Sequence, residues 1–395
     1  MDNIPEKKQS GILQTYTIID YVENELSTFD KKPFSPVDSL VLSQMSYMHL
    51  GCAVGFLGEG KRDVRIAELY RAELFHAMLD EIRDPESNRK LLNALCASPR
   101  FRDIRLNLFT DTVDAEQEKQ FCAVTCMLSD GSIYVAFRGT DATVVGWKED
   151  LNMTFISPVP SQTSAVAYLD TVAKKCRGDI LVGGHSKGGN LAIYASVYAK
   201  PRVQTRIKQV FSHDGPGFKS EVLKSEGYTK ISKILNKTLP KSSFVGMMLE
   251  NSDDYFVVKS SRMGIMQHDP FSWQIDGDGF EYTEKITTSA TYMNQTVNEL
   301  ISSLSEAKLR LFADTLFDVI ESTDVEKIGE FPISAIKEAS RVLDALKNID
   351  EDTRKALTAI LKQFLKVWLK TYLGMDIDID KLELDQKQPA VTQTT

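Results

Sequence analysis

Histidine and cysteine are both scarce in this chain, with five of each in 395 residues. Few histidines leave few side chains able to act as a base near neutral pH. The candidates reduce to His49, His76, His185, His213 and His268. The cysteines, at positions 52, 96, 122, 126 and 176, are odd in number and scattered. That pattern fits reduced thiols in a cytoplasmic protein better than a disulfide framework. Cys122 and Cys126 look like half of a metal site, but a spacing of four within a strand puts both on one face, where packing in the core is the better reading. H-E-x-x-H, a paired C-x-x-C and the phosphate-loop pattern G-x-x-x-x-G-K-[ST] are all missing. Gly55 to Gly60 lacks the dinucleotide-binding spacing and follows no strand, so no metal and no cofactor are expected. No run approaches the ~18 apolar residues that cross a bilayer, and residues 1–8 hold no apolar signal core. Positive charge is not in excess: the net charge of −8 argues against a nucleic-acid partner.

What the chain does contain is alternation. Residues 11–30 and 36–50 have helical apolar spacing, and Ser35-Pro36-Val37-Asp38 is a good helix start. Residues 62–98 read as two helices broken near Asp84-Pro85. The period then changes: 120–128 is a strand, Asp130-Gly131 a tight turn, and 132–137 the returning strand. Helix 163–175, strand 179–184, helix 188–200, strand 207–212 and a strand near 255–259 follow. This pattern predicts a mainly parallel sheet with helices on both faces. Beyond residue 285 the chain reads as helical to 373. Leu357, Ile360, Leu361, Phe364, Leu365, Trp368 and Tyr372 form one apolar stripe, flanked by lysines. It is expected to pack on its neighbours; residues 355–373 alternatively offer a peripheral membrane contact or an acyl-chain surface. The expected organisation is a domain over 11–290, a helical extension or cap over 291–375, and a polar, disordered tail over 376–395.

Residues 180–191 carry the chemistry. Apolar Ile180-Leu181-Val182 runs into Gly184-His185-Ser186-Lys187-Gly188, and a helical stretch follows. G-x-S-x-G between strand and helix is the nucleophile-elbow pattern of α/β-hydrolases, and its flanking glycines leave room for a strained turn. A serine hydroxyl needs a base. His49 and His76 lie in helical segments upstream, and strand alternation points His185 away from Ser186. His268 comes after both the elbow and a plausible acid, in the order such sites use, so it is the candidate base. The candidate acid is Asp214, in His213-Asp214-Gly215-Pro216-Gly217 after the next strand. Asp254, with Asp253, is the alternative, but it precedes its strand and so falls at the wrong edge of a parallel sheet. The backbone N–H of Lys187 is one candidate oxyanion donor. Thr140, in Phe137-Arg138-Gly139-Thr140, is the other, through its N–H and its hydroxyl.

These segments together resemble the class 3 (fungal-type) lipases. More closely, the chain resembles an uncharacterised bacterial α/β-hydrolase family related to them. The resemblance runs over about residues 11–290, through Pro36-Val37-Asp38-Ser39-Leu40, Ser46-Tyr47, Gly139-Thr140-Asp141, Gly146-Trp147-Lys148-Glu149-Asp150, Gly183 to Asn190, Asp214 to Phe218, and Gln267-His268-Asp269-Pro270 with Trp273. It implies an α/β-hydrolase fold and a serine esterase or lipase, with Ser186 as nucleophile and Thr140 in the oxyanion hole. The expected reaction is cleavage of a lipid or small-molecule ester through an acyl-enzyme. Acyl transfer, thioesterase or peptidase chemistry on the same triad, or a non-catalytic scaffold, are the alternatives. Two features depart from the lipase pattern. Lys241 to Gly246, where those lipases carry their acid, has none; Asp214-Gly215-Pro216-Gly217 resembles the acid segment of pancreatic-type lipases, one strand earlier. Lys187, beside the nucleophile, hints at an anionic substrate group or a partner carboxylate.

Overall fold

The structure, a computed structural model, describes residues 16–59, 63–141, 143–250 and 254–321, and three isolated positions beyond them. The strands are β1 (Val64–Arg65), β2 (Arg105–Asp114), β3 (Lys119–Met127), β4 (Ile133–Phe137), β5 (Ile180–His185), β6 (Ile207–His213), β7 (Leu235–Pro240), β8 (Phe256–Val258), β9 (Ile275–Asp276), β10 (Gly279–Phe280) and β11 (Tyr282–Thr283). The helices are α1 (Ile18–Asn24), α2 (Pro36–Met45), α3 (Ala72–Leu79), α4 (Pro85–Ala97), α5 (Val144–Met153), α6 (Pro160–Lys175), α7 (Lys187–Tyr198), α8 (Pro201–Gln204), α9 (Ser220–Leu223), α10 (Glu226–Ile231), α11 (Thr288–Ser303) and α12 (Glu306–Glu321).

One nine-stranded sheet runs in the order β1-β2-β3-β4-β5-β6-β7-β8-β11. Its central strands β4 to β8 are parallel, while β1, β2 and β3 at one edge and β11 at the other pair antiparallel. The parallel strands are apolar on both faces: every residue of β4 and β5 is buried, as expected where helices cover both sides. One core lies between the sheet and the N-terminal helices α1, α2 and α4. The second lies on the opposite face, under α6, α7 and α10. This is the mainly parallel sheet covered on both faces that the alternation predicts, and it has the α/β-hydrolase architecture that the resemblance implies. Cys122 and Cys126 both fall in the first core.

The N-terminal helices are locked on by a buried ion pair. Ser35 and Asp38 cap α2 reciprocally, with Pro36 in its first turn. Asp38 also receives Arg100 Nε at 2.8 Å and Nη2 at 2.6 Å, and neither side chain is exposed. The remaining guanidinium hydrogens go to the carbonyls of Ser27, Lys32 and Pro33, so this desolvated charge is fully hydrogen-bonded.

Several elements lie outside the sequence expectations. β2 carries a register shift between Asn107 and Thr110, with Leu108 at φ +51°; the irregularity erases the period-2 signal. β7 holds a buried lysine, Lys237, and ends in Pro240, neither typical of an inner strand. The helix expected over 11–30 is described only as Ile18–Asn24. At the other end, the edge expected at 290/291 falls inside α11; α11 is hydrogen-bonded to the loop after β7, and α12 packs on α5. The stripe 357–372, with the membrane-contact reading of 355–373, and the tail 376–395 fall essentially outside the described residues. No helix among the described residues is long and apolar enough to cross a membrane.

Candidate active site

Ser186 stands between β5 and α7 with φ +58° and ψ −133°. A residue with a side chain rarely adopts this region, and such strain persists only where the surroundings impose it. They do so here from both sides. The Ser186 N–H donates to the His213 carbonyl of the adjacent strand at 2.9 Å. A Cβ at Gly184 would lie 2.2 Å from the Gly188 carbonyl carbon, and one at Gly188 would lie 2.1 Å from the Phe137 oxygen. Only glycine lets the turn close this tightly. Ser186 is 9 % exposed, at the C-terminal rim of the parallel strands.

Asp214 and His268 come together at the same rim. Asp214 directly follows β6 and has φ +50°; its N–H is tied to the Thr238 carbonyl within β7. Its Oδ2 lies 2.6 Å from His268 Nδ1. Its Oδ1 accepts from Ser243 Oγ and from the Gly246 N–H at 3.1 Å. The carboxylate is wholly buried and the imidazole 17 % exposed. A carboxylate beside Nδ1 assigns the proton there and leaves the Nε2 lone pair as the basic site. The side-chain hydrogen bond of the His268 ring is the one to Asp214, and none joins it to Ser186 Oγ. Asp254 is exposed, two residues ahead of β8 and at the opposite edge of the sheet, so the structure does not bring it to the imidazole. Asp269, the neighbour of His268, pairs instead with Arg262 at 2.5 Å.

Sequence reasoning left His185 and Tyr47 without a role. His185 Nε2 donates to the His268 carbonyl at 2.8 Å, and its Nδ1 accepts from the Tyr47 hydroxyl at 3.1 Å. The rings of His185 and His268 lie 4.5 Å apart. Burial, then the neighbouring His268, holds His185 well below the usual imidazole pKa. It is a neutral prop for the His268 backbone. The signals in the chain were the position of His185 just ahead of the nucleophile and Ser46-Tyr47 among the segments of the family resemblance.

On the other flank, Arg138 anchors the Gly139-Thr140 turn. Its guanidinium makes two bonds of 2.9 Å to Asp111 and one of 3.0 Å to Asp141. The Thr140 hydroxyl donates to Asp150 Oδ2 at 2.6 Å, which corrects the expectation that it would be a second oxyanion donor. The backbone N–H is what Thr140 has left to offer. Desolvation raises the Asp150 carboxyl above its usual pKa, against the pull of Lys187 and the Thr140 hydroxyl, although 31 % of its side chain stays exposed. The Lys187 side chain is also not where an anionic substrate would find it. It is 1 % exposed, and its ammonium bonds to the Gln120 carbonyl and Oε1 and to Glu149 Oε2. The partner carboxylate, not a substrate anion, accounts for this residue.

Among solved structures, the chain is similar to the Rhizomucor miehei lipase in its propeptide complex, at 15 % identity and a TM-score of 0.35 over 56 % of this chain and 66 % of that one. It is similar to the M37 lipase at 15 % identity, TM-score 0.31, covering 53 % and 69 %. It is similar to a lipase from Rhizopus microsporus var. chinensis at 17 % identity, TM-score 0.29, covering 51 % and 72 %. Likeness this distant carries no argument about chemistry. No curated protein matches the chain. A family model described as Mbeg1-like matches residues 95–318, from the end of α4 through most of α12 and including every candidate site residue, and on that match the chain belongs to the Mbeg1-like family.

Proposed function

We propose that this protein is a serine hydrolase that cleaves a carboxylic ester of a lipid or acylated small molecule through an acyl-enzyme. The observation that carries the reading is the Asp214–His268 pair at the rim where Ser186 is held in its strained turn. In this reading His268 Nε2 removes the Ser186 proton as Oγ attacks the ester carbonyl. The Lys187 and Thr140 backbone N–H groups face the developing oxyanion, where one such donor is typically worth ~10²–10³ in rate. Protonated His268 then gives its proton to the departing alkoxide, and water repeats the cycle on the acyl-enzyme. Asp214 keeps the imidazole in the useful tautomer and stabilises its charged form without taking the proton.

The test is covalent labelling with a fluorophosphonate probe, followed by turnover of nitrophenyl esters. The wild-type chain is expected to label and turn over, and Ser186→Ala to do neither. A folded wild-type protein that resists the probe would sink the reading.

A further inference from the structure

The acid and base of the proposed triad are both tied to one loop, residues 241–249, and that loop is held from outside by a helix. The Ser243 hydroxyl and Gly246 N–H donate to Asp214 Oδ1. A Cβ at Gly246 would sit 2.4 Å from that oxygen, so the loop reaches the carboxylate only as glycine. The Ser242 N–H donates to Gln267 Oε1 at 2.7 Å, one residue before His268. This is the stretch that lacks the acid of the class 3 pattern; here it supplies donors to an acid on the neighbouring strand.

Helix α11 grips the loop at three points. The Thr287 N–H, at its cap, donates to the Lys241 carbonyl at 2.9 Å. Asn294 Nδ2 donates to the Ser243 carbonyl at 3.0 Å. Asn298 Nδ2 donates to the Met247 carbonyl at 3.1 Å, and its Oδ1 accepts from the Leu249 N–H at 3.0 Å. Positions 294 and 298 are four apart, hence on one helix face. Asn294 is 2 % exposed. Two amides turned onto backbone groups of a single loop do more than fill space: they fix where the loop's carbonyls, and so its donors to Asp214, must lie.

We propose that Asn294 and Asn298 are positioning residues for the Asp214–His268 pair, so that α11 belongs to the catalytic apparatus rather than to an appendage. The inference rests on the serine-hydrolase reading for its kinetic consequence, but not for its structural one.

The experiment compares full-length wild type with Asn294→Ala, Asn298→Ala and the double variant. Thr296→Ala is the control; Thr296 is exposed on α11 and its hydroxyl bonds only to the Tyr292 carbonyl of its own helix. Two readouts are taken on folded protein: kcat and KM for a nitrophenyl ester, and the NMR resonance of the hydrogen-bonded His268 Nδ1 proton. Each single variant is expected to lower kcat by about tenfold, the scale of one orienting hydrogen bond, with KM unchanged because neither amide meets substrate. The Nδ1 resonance is expected to shift or broaden. The double variant should lose more, and Thr296→Ala nothing. If Asn294→Ala fails to fold, the half-buried Asn298 carries the test alone. Folded variants with wild-type kcat and an unmoved resonance overturn the proposal. If wild type resists the fluorophosphonate probe, the hydrolase reading has failed, while the resonance still reports whether α11 sets the pair.

Discussion

Lys187 Nζ and Glu149 Oε2 lie 3.0 Å apart, with 1 % and 0 % of their side chains exposed. The remaining contacts of Glu149 are spoken for: Oε2 also accepts from the Gln120 N–H and Oε1 from the Ser161 N–H. The pair therefore ties the residue after the nucleophile to α5, β3 and the start of α6. Two charges taken out of water this way are costly unless matched, and losing one partner strands the other. Lys187→Met is expected to destabilise the protein by about 3–5 kcal/mol. Adding Glu149→Gln should restore most of that loss. Chemical denaturation of both variants checks it, and equal stability of the single and double variants would refute the account.

The two candidate acids separate by mutation. Asp214→Asn keeps the shape at the His268 contact but no longer enforces the Nδ1–H tautomer. Replacing the orienting carboxylate in a serine triad lowers kcat by about 10⁴-fold, and a loss of that order is expected here. Asp254→Asn, changing an exposed group at the far edge of the sheet, is expected to leave kcat and KM alone. Steady-state kinetics of the pair decide between them, and the reverse pattern would reassign the acid.

Stability should fall on the acid side of neutrality. His213 is buried between the Thr238 and Ser39 hydroxyls, at 2.7 and 2.9 Å, and desolvation lowers its pKa to about 3. His185 is lowered as well. Groups with folded pKa values below the unfolded value of 6.5 favour folding fully above 6.5. That contribution is lost as pH drops, because the unfolded chain takes up protons that the native one refuses. By pH 5 the expected loss from His213 is about 2 kcal/mol, and His185 adds a loss of the same sign. Unfolding free energies at pH 7 and pH 5 measure it. His213→Gln should reduce the loss by roughly its own share, and an unchanged pH dependence would show that His213 does not titrate on unfolding.

Where the sequence was readable, the reason was local. Gly184, Ser186 and Gly188 declare a turn because the steric demand falls on neighbours within two residues, and the alternation of apolar strands with amphipathic helices reports the parallel sheet because periodicity is written along the chain. The residue types for a base and an acid could be narrowed by order, since only His268 lies downstream of both other candidates. Partnerships across distance left no such trace. That Thr140 spends its hydroxyl on Asp150, that Lys187 turns inward to Glu149, and that Asn294 and Asn298 hold the loop bearing Ser243 all depend on which elements pack together. Hydrogen bonds between residues 10, 38 and 51 positions apart have no periodicity to reveal them. By itself the chain determined the strand-turn-helix that presents a serine; the tertiary structure decided which carboxylate stands by His268, and which side chains are spent on holding the site rather than on its chemistry.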